Sequence, residues 1–318
     1  MFTRMRNTLR VLGERGHTST RSLLPKLSGA ELAKSSWATR IESCSEVPDP
    51  YASFFEPLLA GGGAFPYTVL TPSHERFIHR QAEKLICACE HKIAILERNG
   101  NAFEAYCYPF DEISYIEFRT ALLASSLKIC GMTSAGLHTT SALIFNSVTD
   151  YLFAPIMKKV RLGESKSEMA LQSSEQERFN HLVKVNFKFM NYARHSLLEG
   201  ESVMHSIFQP EIRTGILAAL GRTFYKTISP THMTILTDRE LILIREDTVR
   251  RKEDKYGGIW DYIPLSKIMS LSASDDTGKL LVLAVQLPEN TCFELLFQSS
   301  AREEVKQLLD RFRQLTNR

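Results

Sequence analysis

The sequence predicts an α+β chain that uses one plan, antiparallel strands closed by a helix, twice over. Three observations predict it. Ile228–Asp247 reads as a hairpin whose arms, Met233–Leu236 and Leu241–Arg245, are rich in Ile, Leu and Thr and too short for a stable helix. The reversal falls at Thr237-Asp238-Arg239-Glu240, where an Asp carboxylate is suited to accept from nearby backbone N–H groups. Second, Tyr108-Pro109 with Ile113 matches Ile263-Pro264 with Ile268, at an offset of 155 residues in both places. Third, each half ends in a helical pattern, Thr149–Arg161 and Ala301–Phe312, and a bent sheet capped by one helix buries such a stripe.

At 318 residues the chain is long enough for two domains. Hydrophobic content of 43% and charged content of 24% are ordinary globular values. A net charge of +3 is too small to argue for nucleic acid, and no nucleic-acid partner is expected. The six cysteines, Cys44, Cys87, Cys89, Cys107, Cys130 and Cys292, show no framework spacing and read as free thiols in a reducing interior. The uncharged run Ile129–Thr149 carries too many hydroxyl, amide and imidazole groups to cross a bilayer, and no secretory apolar core opens the sequence. The expectation is a soluble, cytoplasmic chain.

Residues 1–66 read as a basic tail and a Pro/Gly-rich approach. Arg4, Arg6, Arg10, Arg15, Arg21 and Lys26 face a single acid, Glu14, a composition shared with organellar presequences, although a plain tail is the preferred reading. Residues 67–161 form the first domain. His74–Ala82 reads as a short helix, Lys84–Glu97 as a strand and Asn99-Gly100 as a hairpin turn. Strands Ala102–Pro109, Glu112–Arg119, Ser125–Cys130 and Ser141–Asn146 follow, then the helix with Tyr151-Leu152 and Ile156-Met157 on one side. Residues 162–201 are a linker and connecting helix: Ser174-x-x-Glu177 has the form of a capping box, and Phe179, Leu182, Val183, Asn186, Met190, Ala193 and Leu197 recur at helical spacing. Residues 202–318 form the second domain, with a strand over Ser202–Phe208, an apolar connector Ile212–Leu220 and the hairpin. Strands Trp260–Pro264, Ile268–Ser272, Leu280–Leu287 and Phe293–Gln298 follow. Ser300-x-x-Glu303 then opens a terminal helix striped by Val305, Leu308, Leu309, Phe312 and Leu315. Two separate β-rich cores are expected, with few contacts across Gly163–Ser174.

The residues Met233–Ile244, Tyr262-Ile263-Pro264-Leu265-Ser266-Lys267-Ile268 and the helix Ala301–Phe312 carry a resemblance to bacterial PH-like domains, the pleckstrin-homology superfold. In the first half Tyr108-Pro109-Phe110-Asp111-Glu112-Ile113 is similar to the same strand and turn. The resemblance covers most of each half and is firmer in the second. It implies two PH-like domains, each a bent antiparallel sheet or barrel capped by a C-terminal helix, joined by a helical connector. It also implies a non-enzymatic binding role, since such domains hold partners rather than catalyse, although the fold does not fix the ligand.

The motifs that would carry chemistry fail one by one. His74 and His79 stand five apart, about 140° around a helix, so the zinc-protease pattern is not met. Cys87, Cys89 and His91 alternate on one strand face and would need Cys107 to complete a metal set. A strand face projects side chains in parallel and buried thiols pack as small hydrophobes, so core packing is preferred. Gly61-Gly62-Gly63 lacks the Lys-Ser/Thr of a P-loop, and neither a cofactor nor a catalytic group is expected. Arg250, Arg251, Lys252 and Lys255 are the most basic cluster, and the PH resemblance implies a phosphate- or lipid-binding loop there. From Arg245 to Lys255, however, five basic residues meet four acidic ones, which favours a solvated hairpin. Lys158, Lys159 and Arg161 are ascribed to the dipole at a helix C-terminus. The expected function is binding of protein or peptide partners at sheet edges and beside the terminal helix. The alternative is a peripheral membrane adaptor that meets anionic lipid through the basic tail and loop. A metalloprotein on the Cys87-Cys89-His91 face is the third reading.

Overall fold

Strand pairing sets the architecture, and every ladder is antiparallel. The computed structural model describes residues 36–59, 64–76, 79–100, 102–163, 173–219, 222–247, 257–276 and 279–316. The first half runs β1 (Thr39–Ile41), α1 (Asp49–Leu59), β2 (Thr68–Thr71), a hairpin of β3 (His74–Arg76) and β4 (His79–Gln81), β5 (Lys84–Ala88), β6 (Lys92–Asn99) and β7 (Ala102–Pro109). A 3-10 turn, Phe110–Glu112, then leads to β8 (Ile113–Ala121), β9 (Ala124–Met132), β10 (His138–Phe145) and α2 (Ala154–Leu162). The short helices α3 (Ser173–Glu177) and α4 (Phe187–Ser196) follow. The second half runs β11 (Val203–Gln209), a hairpin of β12 (Ile212–Ala219) and β13 (Arg222–Ser229), β14 (His232–Thr237), β15 (Glu240–Arg245) and β16 (Gly258–Pro264). Another 3-10 turn, Leu265–Lys267, leads to β17 (Ser270–Asp276), β18 (Leu280–Gln286), β19 (Cys292–Gln298) and α5 (Arg302–Thr316).

The halves share one topology. Strands β2-β5-β6-β7 lie in that order in one sheet, and β11-β14-β15-β16 repeat the order in another. In both, a small hairpin is inserted after the first strand, three further strands and a helix follow, and the corner is built alike. Pro109 and Pro264 precede their 3-10 turns at φ −56, ψ 142 and φ −56, ψ 136. None of the sheets closes into a barrel among the described residues.

The two halves do not keep separate cores, as the sequence had suggested they would. β8 pairs with β16, from Thr120 opposite Gly258 to Ile116 opposite Tyr262, and fuses three strands of the first half to four of the second. The order of this seven-stranded sheet is β10-β9-β8-β16-β15-β14-β11. The reason lies in the hairpin itself: β14 and the first five residues of β15 are buried on both faces, so neither side can face water. Met233, Ile235, Ile242, Ile244, Trp260 and Tyr262 face a core shared with Ile86, Ile95, Ile156 and Met190. Leu236, Leu241, Leu243 and Ile263 face the other way, onto Val285, Phe297 and Leu308.

Local details depart from expectation for identifiable reasons. At the β14–β15 turn it is the Thr237 hydroxyl that accepts from the amides of Arg239 (3.2 Å) and Glu240 (2.9 Å), while Asp238 caps the Ser202 amide (3.0 Å). His74–Ala82 holds the β3–β4 hairpin rather than a helix, and Lys84–Glu97 is broken by a turn into β5 and β6. The connecting helix is in pieces, because the Asn186 side chain, placed on the apolar stripe by spacing, instead accepts from the Phe189 amide (3.1 Å) and starts α4. Ile212–Leu220 is no connector, since its residues 212–219 are β12, paired with β13. The fold also starts before Tyr67: Ile41, Val47, Tyr51 and Phe55 cover the outer face of the first sheet over Leu85, Cys87 and Leu96.

In α5, Val305, Leu308 and Phe312 are buried against the second half. We expect Leu308→Ala to cost about 2–5 kcal/mol, read as a lowered denaturant midpoint, because the side chain is fully buried.

Candidate binding surfaces

The terminal helix lies beside the outermost strand of the seven-stranded sheet. Between α5 and β11 runs a groove of about 310 Å³ lined by Met204, His205, Gln307, Asp310, Arg311 and Gln314. The ladder alternation follows from the bond of the Glu246 amide to the Thr231 carbonyl (3.0 Å), and it turns the backbone of Ser206 and Phe208 away from β14. The repeat counterpart of this edge is the outer side of β2, and there the edge is filled. β1 pairs with it, Thr39 opposite Leu70 and Ile41 opposite Thr68. The Asn146 amide donates to the Ser36 carbonyl (3.1 Å), and the Ala38 amide to the Thr149 hydroxyl (3.3 Å), fastening that segment to the 3-10 turn Ser147–Leu152 that precedes α2. On β11 no strand takes this place among the described residues. Only the Val203 amide, at its start, is met, by the Glu175 carboxylate (2.8 Å). Burial lowers the pKa of His205, and its Nε2 has no partner among the described residues.

A second cleft, of about 450 Å³, opens where the halves meet, lined by His91, Pro109, Phe110, Ile116, Arg161, Glu240 and Tyr262 among others. Its floor is a buried ion cluster. Arg161, from the last turn of α2, donates through Nη2 and Nε to the Glu240 carboxylate and through Nη2 to the Ser196 carbonyl (2.7 Å). Its guanidinium lies 3.8 Å from the centre of the Tyr262 ring. Glu201 stands 3.9 Å away, accepting from the Thr237 hydroxyl (2.6 Å) and the Leu198 amide (2.7 Å). Burial, and then the charge of Glu240, push the Glu201 carboxyl up to about 7. Arg161 is therefore not a dipole decoration. It is the cation that lets two carboxylates enter the interior.

The residues singled out from the sequence fall elsewhere. Cys87 ends inside β5 and Cys89 in the turn after it, their sulfurs 3.6 Å apart and buried in the core beneath α1. Their mutual hydrogen bond and burial hold the Cys87 thiol protonated. His91 points out to solvent beside Glu90, so the turn separates it from the thiols, and no three His, Cys, Asp or Glu side chains converge as a metal set among the described residues. Arg250, Arg251, Lys252 and Lys255 lie outside the described residues, as do the basic tail and the three glycines. Lys158 pairs with Glu199 (2.8 Å), and Lys159 donates to the Ala88 carbonyl (3.1 Å) over the Tyr67 ring. No described helix is long and apolar enough to cross a membrane. No protein-family model matches the chain, and no curated protein does.

Two measurements test the ion cluster. Arg161→Ala leaves Glu201 and Glu240 buried without a cation and should cost about 3–5 kcal/mol in chemical denaturation. The folded state holds the Glu201 proton more tightly than the unfolded chain does. That stabilisation is complete below about pH 4.5 and is lost as pH rises through about 7. The Tm of Glu201→Gln, relative to wild type, should therefore climb between pH 5 and pH 8. Parallel Tm profiles would show that Glu201 is ionised throughout.

Proposed function

We propose that the chain is a non-enzymatic binding protein of two PH-like domains, joined by the helical segment that contains α3 and α4, and that it takes a protein or peptide partner at the β11 edge. One observation carries the reading. The first half fills the outer edge of its leading strand with the extended segment Thr39–Ile41, while the equivalent edge in the second half has no such strand among the described residues and borders a groove along α5. An extended partner segment laid antiparallel to β11 would meet the outward backbone of Ser206 and Phe208, as Ile41 and Thr39 meet Thr68 and Leu70. Main-chain bonds would supply affinity, and the groove would select the side chains that alternate toward it. The shared strand order and the matching Pro109 and Pro264 corners support the PH-like assignment.

A displayed peptide library tests the reading. We expect enriched peptides whose affinity drops about tenfold or more when Gln307→Trp fills the groove, with slowed amide exchange at Ser206 and Phe208. Peptides that bind equally to the filled variant would place the site elsewhere. Sedimentation with phosphatidylserine vesicles at physiological salt, without peptide selection, would instead favour the membrane-adaptor reading.

A further inference from the structure

Matching the halves strand by strand leaves one pair of edges over. Setting aside β1 and the inserted hairpins, β16 is the fourth strand of its half and β8 the fifth of the other, and they pair inside the chain. Their repeat counterparts are β7 and β17, and neither has a strand on its outer side among the described residues. We propose that β17 of one copy pairs with β7 of a second copy, so that the chain self-associates head to tail. The inference does not rest on the β11 groove.

The backbone of both edges is set for this. Just after β7 the Phe110 amide donates to the His91 carbonyl (3.0 Å), and the Leu265 amide donates to the Arg239 carbonyl (3.0 Å) at the equivalent place after β16. Ladder alternation from these anchors turns Phe103, Ala105 and Cys107 outward, as it turns Gly258, Trp260 and Tyr262 toward β8. In β17 the bond from the Ser299 amide to the Lys279 carbonyl (3.1 Å) fixes the phase, which turns Leu271, Ala273 and Asp275 outward. Carried over to the second copy, the internal register sets Ala105 opposite Ala273 and Phe103 opposite Asp275. The Cys107 carbonyl already accepts from the Ser134 amide (2.8 Å), so the new ladder is short and the association concentration-dependent.

Side chains and charges agree with a second copy as the occupant. The internal junction sets Asp261 opposite Glu117, two like charges. The same register between copies sets Glu104 opposite Ser274 and Tyr106 opposite Ser272, with no like charges facing. At the corner, Lys267 reaches Glu112 within the chain (3.6 Å). These two residues are repeat equivalents, so exchanging the roles of the halves again brings Lys267 of one copy to Glu112 of the other. The open edges also show apolar surface. Met269, just before β17, is 70% exposed where its counterpart Ser114 is 4% exposed, and Phe54, stacked on Phe103 of β7, is 45% exposed. Because the two edges differ, the contact is heterologous and leads to a ring or an open filament.

Sedimentation and light scattering of the full chain test this. The average mass should rise above 36.1 kDa with concentration. Proline at an outward position removes the outward donor while sparing the bonds to β6 or β18, so Ala105→Pro and Ala273→Pro should each weaken association about tenfold or more. Each variant keeps the edge that the other lacks, so an equimolar mixture should form a species of twice the monomer mass and nothing larger. Amide exchange at Ala105 and Ala273 of the wild-type chain should slow as concentration rises, a reading that holds even if a proline variant fails to fold. A chain that stays monomeric at every concentration, or an association that neither proline touches, overturns the proposal.

Discussion

The ladder between β8 and β16 is the contact on which the rest of the architecture depends. Without it β16 would be an edge, and the Trp260 and Tyr262 faces would lack the strand on which Phe118 and Ile116 stand opposite them. With it, β16 becomes the middle strand of seven, and one apolar core runs from Val69 and Ile86 in the first sheet to Met233 and Ile244 in the second half. The ladder carries an electrostatic cost. Asp261 is fully buried opposite Glu117, and burial pushes its carboxyl up to about 6. Arg245 (2.7 Å) and, through Glu117, Lys128 (2.7 Å) offset the repulsion with opposite charge.

Arg161 ties the halves a second time, and by different physics. It leaves the end of the first half's closing helix and reaches carboxylates that belong to the second half, Glu240 at the start of β15 and Glu201 just before β11. A direct ion contact inside the protein is worth more than one at the surface only where the geometry supplies every bond, and here the donors reach Glu240 and the Ser196 carbonyl together. The two copies of one plan are thus not beads on a string. Each uses its edges differently, β2 covered by β1, β8 by β16, and the counterparts without a partner strand among the described residues.

Much of this was legible from residue order because the strong signals were local. The β14–β15 hairpin, the Pro109 and Pro264 corners and the stripe of α5 each depend on a few neighbouring residues, and each formed where expected. The repeated antiparallel plan was legible as strand order, but the fusion of the two halves was not. Gly258–Pro264 looks like any half-buried strand, and nothing in it marks β8 as its neighbour. Helical spacing misled at Asn186, where a side chain that bonds its own backbone overrode a stripe of apolar residues. Polar strands misled too: β3 and β4 carry His, Glu, Arg and Gln without alternation, and β13 opens on Arg222. The Arg161 cluster was hidden because Glu201 and Glu240 are distant in sequence and look like solvated acids until packing removes the water. The fastening of residues 36–41 was hidden by the prolines and glycines that follow them.

The same ladder sets a schedule for synthesis. Tyr262 lies nearly 150 residues beyond Ile116, its partner. At typical elongation rates of about 5–20 residues per second, β8 waits roughly 7–30 seconds for β16 to be made. During that interval the nascent first half holds an unpaired strand edge next to an apolar surface that only later residues cover. Codon speed between β10 and β16, and the chaperones that screen such edges, therefore bear on the yield of this protein as directly as any residue in its core.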